Sequence, residues 1–217
     1  MNIDDIRKES KKRILIAAHR GFAAGNIPCN SMAAYDVAIN DGADIVEIDV
    51  AASQDHRLYV FHPGMEKAHL CSEKALEQMT SEEINTLRYR NYDGFPTQFG
   101  IHTLDDVLEG LKGRCCINVD KFWMNPQSIA ETIRDHDMVE DVIIKTPLDE
   151  GCLRIVEKYA PDIPFMPMGF LDYKMCIRDR MKRHCRRSGL LAVSRYVRAL
   201  TTVQKSWWNV FTVWASK

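Results

Sequence analysis

From residue 13 onward the chain alternates short apolar runs with longer half-polar segments, a rhythm that predicts strands alternating with helices. RILIAAHRG (13–21) is an apolar run stopped by Gly, as suits a buried parallel strand. Asn30 and Ser31 offer N-caps to MAAYDVAIND, an Ala-rich segment that predicts a helix ending at Gly42. DIVEIDV (44–50) is the second strand, and RLYVFHP (57–63) reads as another short one. A long polar segment with weak helices, SEKALEQM and SEEINTLRY, then runs to about Gly100 and has the character of an insertion. TLDDVLEGLKG predicts a helix opened by a Thr cap and closed by Gly113. CCINVD is a strand, and PQSIAETIRDH a helix with Pro126 in its first turn. DVIIKTP, DEGCLRIVEKYA and PFMPMGF continue as strand, helix, strand.

Such alternation implies a parallel sheet with helices outside it. A doubly wound sheet would carry a Gly-x-Gly-x-x-Gly loop after strand one, and HRGFAAGNIP lacks that spacing. A TIM (β/α)8 barrel places its chemistry at the C-terminal ends of strands. There this chain carries His19 and Arg20, Glu47 and Asp49, Asp120, and Lys145. The barrel is the better reading. Five barrel strands are legible before residue 173, against eight in a complete barrel of roughly 250 residues, so residues 1–173 are expected to be the N-terminal part of an incomplete barrel.

Within DIVEIDV the alternation of a strand puts Glu47 and Asp49 on one face and Val46, Ile48 and Val50 on the other. Leaving both carboxylates uncompensated in a core would cost several kcal/mol each, so they must reach solvent or meet a cation. Arg20, from the neighbouring strand, is one such partner. A divalent metal is another.

Composition narrows the setting. The chain has 217 residues, 46% hydrophobic composition and a net charge of -1, which gives no reason to expect disorder, nucleic acid or an acidic membrane surface as partner. MNIDDIRKESKKR is too polar for a secretory signal, and no apolar run reaches the roughly 18 residues of a membrane span. Seven cysteines without metal-site spacing suggest reduced, packed thiols and a cytoplasmic protein. From Lys174 onward about eleven Lys and Arg face one acid, Asp179, and Trp207, Trp208 and Trp214 cluster there without a clear period. A tail of this kind suits an anionic lipid surface, a partner, or a solvated helix. KMCIRDR, however, resembles translated sequencing-adaptor sequence, and residues 174–217 are expected to be a foreign or frame-shifted extension that carries no functional information.

Singly, the candidate residues admit plain roles: His19 a core histidine, His62 a turn residue before Pro63, Asp120 a helix cap in competition with Asn125. Together they have a chemical logic. Glu47, Asp49 and Asp120 offer three carboxylates to one hard divalent cation, Ca2+ or Mg2+. Arg20 adds a planar donor fork for phosphate. His19 and His62 are placed to share proton transfer, and phosphodiester cleavage needs little more.

AHRG, then PCNSMAAYDVAINDGADIVEIDV, then ASQDHRLYVFHP, resembles the glycerophosphodiester phosphodiesterase family, over residues 13 to about 170. The resemblance implies a TIM barrel of the phospholipase-C-like phosphodiesterase type, a Ca2+ or Mg2+ ion, and hydrolysis of a small-molecule glycerol phosphodiester to glycerol phosphate and an alcohol. It implies that His19 and His62 are the catalytic pair, Arg20 the phosphate-binding residue, and Glu47 and Asp49 metal ligands. The chain departs from the family's usual Pro-Glu-Asn-Thr at Pro28, Cys29, Asn30, Ser31, and from His-Asp at His62-Pro63. Where the family commonly has Glu-x-Lys, this chain has Asp120, Lys121, Phe122. Alternation points Lys121 to the wrong face unless the strand bulges, and Lys145 is the candidate to replace it at the phosphate. These departures leave the alcohol open. A lyase that releases a cyclic phosphate, and a non-catalytic barrel fragment, are the competing readings.

Overall fold

The computed structural model describes residues 1–91 and 93–168, together with the backbone of 210–213. In chain order, α1 is Ile3–Glu9, β1 Leu15–His19, α2 Met32–Asn40, β2 Ile45–Ala52 and β3 Leu58–Val60. Next come α3 Glu66–Leu70, α4 Ser81–Thr86, α5 Leu104–Leu111, β4 Cys116–Asp120, α6 Pro126–Asp135, β5 Val142–Pro147, α7 Glu150–Tyr159, β6 Phe165–Met168 and β7 Val210–Val213. Strands β1, β2, β4, β5 and β6 are parallel neighbours in the order β6-β5-β4-β2-β1, each joined to the next through a helix. They form the curled first part of a (β/α)8 barrel, as the alternation predicts. The backbone of β7 lies parallel to β1 on its other side. The rest of the expected tail lies outside the described residues.

Local chemistry sets the boundaries. Ser31, Thr80, Thr103 and Asp149 each accept a hydrogen bond from a first-turn amide and so cap α2, α4, α5 and α7. Asn30 does not cap α2, contrary to one of the two options in the sequence. Asp120 caps nothing, and Asn125 sits at the N-cap of α6 without a side-chain bond. The helix expected over SEKALEQM shrinks to a single 3-10 turn, Leu76–Gln78. RLYVFHP does form a strand, but β3 runs antiparallel to β2, pairing Val60 with Val50, and stays off the barrel path. The segment that follows packs Leu70, Leu76, Ile84 and Tyr89 against Tyr59 and Phe61, a separate apolar cluster beside the barrel.

The barrel strands have two buried faces. Val46, Ile48, Val50, Ile117, Val119 and Ile144 face outward and pack under Tyr35 of α2, Leu104 and Leu108 of α5, and Ile129 and Ile133 of α6. Each such side chain contributes about 1.5–3 kcal/mol of burial. The inward face begins with Leu15, Ala17, Ile45, Cys116 and Ile143. Ile3 and Ile6 of α1 close this apolar floor from below, and the Ile3 amide donates to the Glu140 carbonyl at 2.8 Å. The opening MNIDDIR therefore forms an amphipathic plug, capped by Asn2 and Asp5. Continuing up the same inward face, the register sets His19 beside Glu47, Glu47 beside Asn118, and Asp49 beside Asp120. The polar residues thus occupy the C-terminal ends of the strands above a dry floor. No helix among the described residues is long and apolar enough to cross a membrane.

Candidate functional site

The site starts where β1 stops. Arg20 (φ 59°) and Gly21 (φ 76°) both take left-handed backbone, so the chain turns away sharply after His19. The Arg20 amide donates to both the Glu47 carbonyl and Glu47 Oε2, each at 3.1 Å. That turn folds the guanidinium back over the sheet, and Arg20 Nε lies 2.8 Å from Asp49 Oδ2. The contact is a close ion pair that lacks hydrogen-bond alignment. The Arg20 pairing weighed from sequence is therefore real, and it satisfies only part of the acid pair.

Glu47, Asp49 and Asp120 are all buried, and each offers one carboxylate oxygen within 4.8 Å of the others. Asp49 is fully enclosed. Its Oδ2 accepts from Asn30 Nδ2 at 2.9 Å, its amide donates to Asn30 Oδ1 at 3.3 Å, and the Tyr35 hydroxyl donates to that same Asn30 oxygen at 3.1 Å. Oδ1 of Asp49 has no hydrogen-bond partner among the described residues. Lys145, rising from β5, places Nζ 2.6 Å from Glu47 Oε1 and 2.9 Å from Asp120 Oδ2. Lys121 does not point away as strict alternation predicts. Its left-handed backbone (φ 63°) breaks the strand, brings Nζ to 3.7 Å from Asp120 Oδ2, and lets its amide donate to Asp120 Oδ1 at 2.6 Å.

The two histidines flank this cluster. His19 Nε2 is 3.8 Å from Glu47 Oε2, and His62 Nε2 is 3.9 Å from Asp49 Oδ1. Both are close enough for electrostatic coupling and too far for a hydrogen bond. Burial, and next the Arg20 charge, holds the His19 imidazole below its ordinary pKa. Burial, and next Asp49, pushes the Glu47 carboxyl up to about 7 against the pull of Lys145. Burial opposes the Lys145 charge, yet Glu47 and Asp120 outweigh it and hold this ammonium above the ordinary lysine value.

Three residues beside the site were not candidates from sequence. Asn30 is the clamp on Asp49; its pre-helical position disguised it as a cap, and its left-handed backbone (φ 55°) shows only in the structure. Cys29 Sγ lies 3.8 Å from His69 Nδ1. Burial raises the thiol pKa and lowers that of the imidazole, so the pair sits neutral beside Arg20. These contacts tie the segment after β3 to the loop after β1, and no local pattern announces them.

Buried acids at this spacing invite a metal. The donor set is three carboxylates, hard oxygen ligands of the kind that Ca2+ and Mg2+ take, and Asp49 Oδ1 is a buried acceptor with an unused lone pair. The residues present fit one divalent cation.

Fold and site define an (β/α)8-type barrel protein whose polar centre lies at the C-terminal strand ends. The chain belongs to the Glycerophosphoryl diester phosphodiesterase family, whose sequence model matches residues 19–145, the span bounded by His19 and Lys145. It is 31% identical over 159 residues to a glycerophosphodiester phosphodiesterase of Bacillus altitudinis, covering 68% of this chain and 63% of the relative. A glycerophosphodiester phosphodiesterase of Caldanaerobacter subterraneus subsp. tengcongensis is 29% identical over 161 residues, covering 70% and 65%. Among solved structures, a glycerophosphodiester phosphodiesterase from Agrobacterium tumefaciens superposes with a TM-score of 0.62 at 30% identity, covering 70% of this chain and 66% of that one. A glycerophosphoryl diester phosphodiesterase from Parabacteroides distasonis shares the fold at TM-score 0.68 and 23% identity, covering 80% and 62%. The chain thus spans about 63% of the length of the first curated relative.

Proposed function

We propose that the protein hydrolyses a glycerophosphodiester, or a related small phosphodiester, to a phosphomonoester and an alcohol, with one Ca2+ or Mg2+ held by Glu47, Asp49 and Asp120. The observation that carries this reading is the approach of the three carboxylates to within 4.8 Å, with an imidazole on each side of the acid pair. A divalent cation there would polarise the phosphoryl oxygens and offset the charge that grows on them. Arg20, already turned over the site, orients the phosphate through the terminal N–H groups it does not share with Asp49. His19, kept neutral by burial, accepts the proton of the attacking water at Nε2. His62 delivers a proton from Nε2 to the departing alkoxide. Lys121, just after β4, and Lys145, on β5, complete the cationic wall. The unpaired thiols Cys29, Cys71, Cys115, Cys116 and Cys152 support a reducing, cytoplasmic setting.

The test is release of glycerol phosphate from a glycerophosphodiester such as glycerophosphocholine, measured across a Ca2+ and Mg2+ titration in wild-type protein and in Asp49→Asn. Asp49→Asn withdraws a charge from a hard cation's shell and is expected to weaken metal binding by tenfold or more and to abolish most activity. Activity that ignores chelator and metal alike would overturn the proposal.

A further inference from the structure

Each acid of the cluster already has a basic neighbour on the chain. Arg20 pairs with Asp49, Lys121 approaches Asp120, and Lys145 Nζ bridges Glu47 Oε1 and Asp120 Oδ2 at 2.6 and 2.9 Å. Counted by formal charge, three carboxylates face three cations, so the cluster is balanced before any metal arrives. A divalent ion must therefore enter at the expense of one of the cations already there.

The three cations differ in what they occupy. Lys121 sits 3.7 Å from one Asp120 oxygen and 5.3 Å from the Trp123 ring centroid, too far to occupy a lone pair of the cluster. Arg20 shares Asp49 Oδ2 with Asn30 and leaves Oδ1 open. Lys145 is different. Its side chain is only 13% exposed, and Nζ lies within hydrogen-bond distance of oxygens from two of the three candidate ligand residues. An ion bound at about 2.0–2.6 Å from those oxygens would take the lone pairs the ammonium now uses and would face a like charge at close range.

We propose that Lys145 is the resident counter-ion of the acid cluster, a built-in cation that holds Glu47 and Asp120 together until a divalent metal displaces it. Metal uptake is then an exchange, and Lys145 sets its affinity. The inference rests on the metal-site reading above. Without Lys145, Glu47 and Asp120 would lose the buried cation they share.

The experiment uses the full chain and Ca2+ or Mg2+ alone, with no substrate. Wild type, Lys145→Met and Lys145→Arg are titrated by calorimetry, and their melting temperatures are compared with and without metal. Lys145→Met, close in volume and uncharged, is expected to bind metal about tenfold more tightly or better, because a repelling charge is gone. Its metal-free form should melt lower than wild type, and its metal-induced rise should be larger. Lys145→Arg should stay near wild type on both counts. A Lys145→Met protein that folds only when refolded in Ca2+ supports the exchange, whereas one that is insoluble with or without Ca2+ overturns it, since a metal should replace a counter-ion. Unchanged or weaker metal affinity in a folded Lys145→Met removes the role of Lys145 and leaves the metal site standing. Failure of wild type and Lys145→Met alike to bind either ion removes the metal site itself, and the inference with it.

Discussion

Asn30 and Asp49 hold each other at two points: Asn30 Nδ2 donates to Asp49 Oδ2, and the Asp49 amide donates back to Asn30 Oδ1. The clamp lies between the loop after β1 and the middle of β2, so it fixes where the Asp49 carboxylate points. Asn30→Ala would strand a buried acceptor at a cost of about 1–3 kcal/mol and add strain at a left-handed φ of 55°. Asn30→Gly removes the clamp without the backbone strain. Both variants are expected to melt lower than wild type, Asn30→Ala lowest, and both should lose about 10–100-fold in Ca2+ affinity, as when the partner of a metal ligand is removed. Thermal melts beside calorimetric titrations decide it; equal melting temperatures with unchanged affinity would show that Asp49 needs no clamp.

Gly21 meets a harder limit. A Cβ there would stand 2.7 Å from the Ala34 carbonyl carbon and 2.9 Å from Ala34 Cβ, at a φ of 76°. α2 and the turn after His19 cannot both keep their places. Gly21→Ala is expected to destabilise the fold by roughly 2–4 kcal/mol, more than a surface Gly→Ala change, through combined overpacking and left-handed strain. Gly25→Ala, where a Cβ would meet open space at a φ of 58°, is the control and should cost only the backbone portion. Chemical denaturation of the two variants gives the difference directly.

The parts of the molecule governed by period and capping were legible in the sequence. Glu47 and Asp49 share the inward face with Asp120 and Lys145 because side chains alternate along each strand and parallel neighbours keep register. Thr103 was readable as a cap for the same local reason. What escaped depends on contacts distant in sequence or on a reversal of handedness. Lys121 could be placed only once its left-handed φ was known, since that single torsion returns it to the site side. β3 looked like any short strand, and only its pairing with Val50 and Ala52 shows that it leaves the barrel. The bridge from Lys145 to Glu47 spans 98 residues in sequence, so a strand-end lysine signalled a site while its partner stayed hidden.

Glu47 makes a pH prediction with a definite sign. Burial and Asp49 raise its carboxyl from an ordinary 4.5 to about 7 in the metal-free fold. Between those two values the folded protein keeps a proton that the unfolded chain has released, so this group's contribution to stability is fully present below about 4.5 and is lost as pH rises through about 7. A metal needs the ionised form. Its affinity should therefore climb with pH up to about 7 and level off above, with close to one proton released per ion bound at pH 6. Calorimetry in two buffers of different ionisation enthalpy counts that proton. Glu47→Gln should bind metal weakly at every pH with no proton release, and an unchanged release in that variant would assign the proton to another group.

The two histidines carry the prediction most exposed to failure. With His19 as base and His62 as acid, one must be neutral while the other is protonated, so kcat/KM should trace a bell against pH. His19 is held below the ordinary imidazole value by burial and by Arg20, so at saturating metal the rising limb of that bell falls below the ordinary imidazole range. His19→Ala should remove that limb. Each His→Ala change should lower kcat by about 10²–10⁴-fold while leaving Ca2+ affinity nearly intact, because the metal is assigned to the carboxylates and the imidazoles lie 3.8 and 3.9 Å from them. A histidine that serves only to fill space predicts the reverse: a lower melting temperature, with activity per folded molecule preserved. His62 is the sharper case of the two. Its Nδ1 is buried without a hydrogen-bond partner among the described residues, so truncation removes an unsatisfied group and the stability cost should be small. A His62→Ala protein that melts near wild type with kcat collapsed would establish the acid, whereas full kcat would leave Asp49 with a neighbour and the reaction without one.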